Sequence, residues 1–205
     1  MALLNSEQLE RIAGAIEDVE KQTDAELVTV LAKRADDYLY IPTLWAALLA
    51  LLTPVIIDFT PLWLSGHDLL VIQWIVFIVF ALVLRFPPIM MRLVPKRVRY
   101  WRAANLARRQ FLENNLHYTK GETGVLIFVS EAEHYVEIIA DRGIDQHVDQ
   151  EKWQGIVNAF IARVKAGQIE EGFVECISSC GEILKQHAPA TEEKNELPNR
   201  MVVIE

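Results

Sequence analysis

Two aspartates bracket a glycine in Asp-Arg-Gly-Ile-Asp, from Asp141 to Asp145, directly after the strand-like run His134 to Ala140. Carboxylates on a loop at a strand end suit hard divalent cations such as calcium or magnesium. Glu26, at the start of another aliphatic run, is a third oxygen donor that a shared sheet could bring to Asp141 and Asp145. The same residues also suit a plain turn, in which Gly143 supplies an unusual backbone angle and Asp145 caps it. His147 follows closely, and a single loop histidine is as readily a solvent-facing one.

Other reactive side chains give less. Cys176 and Cys180 are four apart and share one face of a helix. A thiolate metal centre needs two more ligands, and only His187 is near in sequence, so packing is the expected role. Thr119 and Thr123 in TKGETG could touch a phosphate, although turn capping explains them as well. There is no GxSxG elbow, no glycine-rich phosphate loop with Lys and Ser/Thr, and no arginine after Cys180 at cysteine-phosphatase spacing. No residue is assigned a catalytic role.

The elements that position these groups follow from periodicity. Leu9, Ile12, Ala13, Ile16 and Val19 recur at helical spacing over Asn5 to Lys21, with Asn5 as cap and Gln8 three positions on. Glu26 to Ala32 then reads as a strand. Arg97 to Leu116 is a second helix with a basic first half. Gly124 to Ser130 is apolar throughout, as a strand covered on both faces would be, and His134 to Ala140 follows after a connection short enough for an antiparallel hairpin. Asp141 to Val148 is expected to be loop. Asp149 caps a helix to Ala166 with Gly167 as stop, and a last helix spans Ile169 to His187. The acidic end is expected to be mobile, with Met201 to Ile204 able to add an edge strand.

Two uninterrupted apolar runs stand apart from this pattern: Ile41 to Ile57 and Leu69 to Leu84, neither with an ionisable residue. Each approaches the roughly 20 residues that a membrane span needs. Eight of the 20 basic residues, from Arg85 to Arg109, follow the second run, whereas the loop between the runs has none. The positive-inside rule keeps the basic side in the cytoplasm and exports the loop. The start of the chain lacks the basic and apolar regions of a signal peptide. Both termini are thus expected in the cytoplasm of a bacterial-type inner (plasma) membrane. An even number of crossings also returns the chain to one side, as strands on either side of the insertion need if they share a sheet.

Composition bounds the rest. The chain has 205 residues, 52% of them hydrophobic and 23% charged, outside the range of disordered proteins. A formal charge of −8 excludes general nucleic-acid binding. Two cysteines exclude a disulfide-framed secreted mini-protein.

The motifs TDAEL (Thr23 to Leu27), GVLIFVS (Gly124 to Ser130) and YVEIIADRGID (Tyr135 to Asp145), with the Gly167 and Gly172 pair, resemble the TPM domain family in order and spacing. That family takes its name from a thylakoid lumen protein, a photosystem II repair protein and a receptor modulator. The resemblance covers residues 6–34 and 98–187. It implies an α/β (α+β) fold, an α/β/α sandwich with a small mixed sheet, here interrupted by a two-helix transmembrane hairpin. The expected division is 1–37 and 87–187 for the domain, 38–86 for the hairpin and 188–205 for the tail. Some members of the family resemble acid phosphatases, some bind calcium, and some maintain membrane complexes. The resemblance therefore implies either a non-enzymatic maintenance factor, with the lipid bilayer and other membrane proteins as partners, or a phosphatase dependent on a divalent metal.

Overall fold

The computed structural model describes residues 4–191 and 201–204. In chain order the elements are α1 (Ser6–Glu20), β1 (Leu27–Ala32), α2 (Tyr40–Asp58), α3 (Gly66–Val83), α4 (Pro87–Leu93), α5 (Lys96–Glu113), a 3-10 turn (Leu116–Tyr118), β2 (Val125–Ser130), β3 (Tyr135–Ala140), α6 (Arg142–Asp145), α7 (Gln150–Lys165), α8 (Ile169–His187) and β4 (Met201–Ile204). They form two compact units, residues 36–99 and the remainder.

The larger unit is built on one mixed sheet in the order β3-β2-β1-β4. β1 runs parallel to β2, with Leu27 beside Val125, and parallel to β4, with Thr29 beside Met201. β2 and β3 are antiparallel, with Val125 opposite Ala140. Because side chains alternate across a strand, the sheet presents two apolar faces. On one, Leu27, Leu31, Val125, Ile127 and Val129 pack with α1, α7 and α8 through Ile12, Ile16, Trp153, Phe160 and Phe173. On the other, Val28, Val30, Leu126 and Phe128 pack under Ala103, Ala107 and Phe111 of α5. β1 and β2 are buried at every position, as strands covered on both sides must be.

Local chemistry sets the boundaries. Asn5 and Gln8 form the expected capping box, each side chain accepting from the other's backbone N–H at 2.8 Å. α1 packs against α8 so closely that a Cβ on Gly181 would sit 2.7 Å from Val19 Cγ2. The expected loop after β3 instead contains α6, capped by Asp141, whose carboxylate accepts from the Arg142 N–H at 2.8 Å. Asp149 occupies the cap position of α7 without a side-chain capping bond. The helix expected over Arg97 to Leu116 ends at Glu113, and Asn115, at φ 57°, leads into the 3-10 turn. Gly167, at φ 81°, ends α7 in the left-handed conformation that favours glycine. The predicted edge strand at Met201–Ile204 forms, and most of the tail expected to be mobile, residues 192–200, lies outside the described residues.

The smaller unit is a helical hairpin of α2 and α3 followed by α4. Both long helices have the length and hydropathy to cross a membrane, with mean hydropathy 2.0 and 2.1. Ala46 and Ala50 are the small buried residues of α2, and no residue of α3 is buried, so its all-round apolar surface is left open. Thr53 in α2 donates its hydroxyl back to the Leu49 carbonyl at 3.0 Å, which satisfies it without water. Tyr38, Ile41, Met90 and Val94 form a separate small core.

Candidate functional site

The three motif loops meet at one end of the sheet, where β1 and β2 begin and β3 finishes. The Asp141 N–H donates to the Gly124 carbonyl at 2.8 Å, and the Gly143 N–H donates to the Glu122 carbonyl at 2.9 Å. The Thr123 hydroxyl donates to the Asp24 carbonyl at 3.3 Å. Gly143 is required here for space: a Cβ would lie 2.1 Å from the Gly121 carbonyl oxygen. Its φ is not positive, so the expected unusual angle is not its role, and Gly121 at φ 86° supplies that conformation. The cap of this turn is Asp141; Asp145 instead accepts from Gln150 Nε2 at 3.2 Å.

Glu26 and Asp141 lie at the same sheet end, on strands that flank β2, about 10 Å apart at two strand spacings. Glu26 is buried, and its neighbour is Glu20, whose Oε1 accepts the Leu27 N–H at 2.9 Å. Burial, reinforced by the charges of Glu26 and Glu17, pushes the Glu20 carboxyl up to about 8 against the pull of that backbone bond. Asp141, Asp145 and Glu26 are not gathered as one set of ligands: among the described residues no group of three or more His, Cys, Asp or Glu side chains is placed to hold a metal ion.

The remaining residues with candidate chemistry are placed as follows. His147 stacks on His187, with ring centroids 5.7 Å apart. Cys176 and Cys180 are free and buried in the α8 face of the core, and the Cys176 contact together with burial raises the Cys180 thiol. Thr119 serves its turn, with its hydroxyl oxygen accepting from the Thr123 N–H at 3.0 Å.

An opening in the larger unit lies at the other end of the sheet and along β3. One cavity of about 640 Å³ lies between the ends of β1 and β2 and the α7 residues Phe160, Ile161 and Val164. A second of about 380 Å³ continues along β3 and α7, past Val136, Ile138, Trp153 and Val157. Tyr100, His134 and Tyr135 border both. The turn between β2 and β3 is fixed by Glu133, which is buried and accepts from the Ser130 hydroxyl and from the Ala35 N–H. His134 is held at φ 51°, a conformation uncommon for a residue with a side chain. No sign of this groove was read in the sequence pattern. The signal available was a helix whose apolar residues exceed what one edge strand can cover.

No curated protein matches the chain. The solved structure of the BA42 protein from the psychrophilic bacterium Bizionia argentinensis aligns with a TM-score of 0.60 at 20% identity, over 98% of this chain and 94% of that one, which shows a shared fold. The family model of the TPM domain matches residues 90–183, a stretch that includes GVLIFVS and YVEIIADRGID. TDAEL lies ahead of that stretch, yet β1, which it opens, pairs directly with β2. Over residues 90–183 the chain is thus similar to the TPM domain family.

Proposed function

We propose that this protein is a membrane-tethered TPM domain that works by binding other membrane proteins on the cytoplasmic side of an inner (plasma) membrane, as an adaptor or maintenance factor. The observation that carries the tether is the pairing of β1 with β2 across an insertion holding two span-length apolar helices. Two strands of one sheet need the same solvent, so the intervening chain crosses the bilayer twice, and the basic residues after α3 set the cytoplasmic side. The binding role draws on the groove at β3 and α7, which is apolar where it meets the ends of β1 and β2. Asp141 is committed to a helix cap and Asp145 to Gln150, which favours a structural over a metal-binding use of that turn.

The tether is tested by fusing reporters after Ser65 and after Glu205: the first behaves as exported and the second as cytoplasmic. A full-length chain left in the supernatant after ultracentrifugation without detergent overturns it. The binding role is tested against catalysis with a generic phosphate ester and added magnesium or calcium. Flat rates across pH are expected, and turnover abolished by Asp141→Asn replaces the adaptor with a metal-dependent phosphatase.

A further inference from the structure

The open edge of β3 has the geometry of a peptide-binding strand. In an antiparallel pair, opposed residues alternate between hydrogen-bonded and non-hydrogen-bonded positions. The Asp141 N–H bonds Gly124, so Tyr135, Glu137 and Ile139 bond β2, while Val136, Ile138 and Ala140 turn their backbone N–H and C=O groups outward. Among the described residues, no strand lies on that side. Edge strands are commonly guarded by Lys, Pro or a bulge. This one reads Tyr-Val-Glu-Ile-Ile-Ala and has none of them.

The groove beside it is chemically two-sided. Val136 and Ile138 face α7, where Trp153, 5% exposed, has a buried indole N–H without an acceptor among the described residues. Glu137 lies on the other face, its carboxylate accepting from the Tyr135 hydroxyl at 2.9 Å. Burial raises Glu137 against the pull of that bond and of the nearby Arg108 charge. The surrounding unit is acidic as a whole. Residues 36–99 hold five of the 20 basic and four of the 28 acidic residues, which leaves 15 and 24 for the other unit, a formal charge of −9.

We propose that the β3 edge docks an extended segment of a partner protein in which apolar and basic residues alternate, adding a fifth strand to the sheet. The apolar side chains enter the groove between β3 and α7, the basic ones meet Glu137 across the strand pair, and a polar acceptor of the segment takes the Trp153 N–H. Such segments are found where membrane proteins leave the bilayer on the cytoplasmic side, because Lys and Arg concentrate there. This inference rests on the adaptor reading and names its contact surface.

The test uses the full chain in detergent micelles and a short synthetic peptide of alternating valine and lysine. At a peptide concentration of about 100 Kd, amide exchange at Val136 and Ile138 slows by about a hundredfold, the Trp153 indole resonance moves, and Glu137 and Ile139 keep their rates. Glu137→Lys reverses the preference, favouring a peptide of alternating valine and glutamate. Unchanged exchange at Val136 and Ile138 at saturating peptide overturns the proposal. Slow exchange there without peptide, in a chain that sediments as a dimer, also overturns it and assigns the edge to a second copy. Protection by the peptide in a chain that proves soluble without detergent removes the tether and leaves the edge site standing.

Discussion

The two edges of the sheet are treated differently. On one side β1 is covered by four residues of the chain's own end, Met201–Ile204, and the Lys33 N–H extends that ladder to the Ile204 carbonyl at 2.8 Å. On the other side β3 ends the sheet beside a groove lined by both polar and apolar residues. The sheet thus ends in a short strand, β4, on one side and in the longer β3 on the other, where the Trp153 indole N–H has no acceptor among the described residues. We read the longer, six-residue edge at β3 as the side that takes a partner, in keeping with the proposal above.

The largest expected effect comes from disrupting the turn that follows the open strand β3. Gly143→Val drives a side chain into the Gly121 carbonyl, already 2.1 Å from an ideal Cβ. It is expected to cost about 3 kcal/mol, read as a lowered denaturation midpoint and loss of the β3 amide pattern. Making the covered edge resemble the open one is the second test. Deleting residues 201–205 strips the half-buried Met201, Val202 and Ile204 from β1. A loss of about 2 kcal/mol and self-association visible by sedimentation are expected.

A third test concerns the entry to β1, where Glu20 accepts the Leu27 N–H. The folded chain holds the Glu20 proton up to about pH 8, against a value of 4.5 in the unfolded chain. The folded state therefore binds more protons between those limits, and its contribution to stability falls as pH rises through that window. Glu20→Gln should flatten the profile and raise Tm at pH 8 by about 3 °C, with little change at pH 5. Smallest of all is Gln154→Ala on the exposed wall of the groove. It should shift stability by less than about 0.5 kcal/mol, since a binding wall is not a structural one.

Much of the fold was legible because its signals are local. The capping box at Asn5, the continuous apolar run of β2, the hairpin to β3 and the glycine stop at Gly167 all depend on neighbours within a few residues. α6 escaped because four residues carry no period, and the true role of Gly143 escaped because the atom it must avoid belongs to another loop. Glu26 and Asp141 stand at one sheet end, but the partners of such carboxylates are not a matter of spacing. Asp141 was free to bind a cation or to cap, and the helix that begins at Arg142 decided for the cap. The groove was the least visible, for it needs two apolar surfaces to remain apart, and sequence patterns report only that each is apolar.

The insertion of α2 and α3 between adjacent strands has a consequence for how the protein is made. β1 leaves the ribosome early, but its neighbours β2 and β4 arrive only after both greasy helices have been synthesised. The sheet cannot zip until those helices have found their own environment, so maturation of the globular part waits on the fate of the hairpin. A nascent chain arrested before Val125 would display a bare, largely apolar strand, which makes that interval the moment when a holding chaperone matters most.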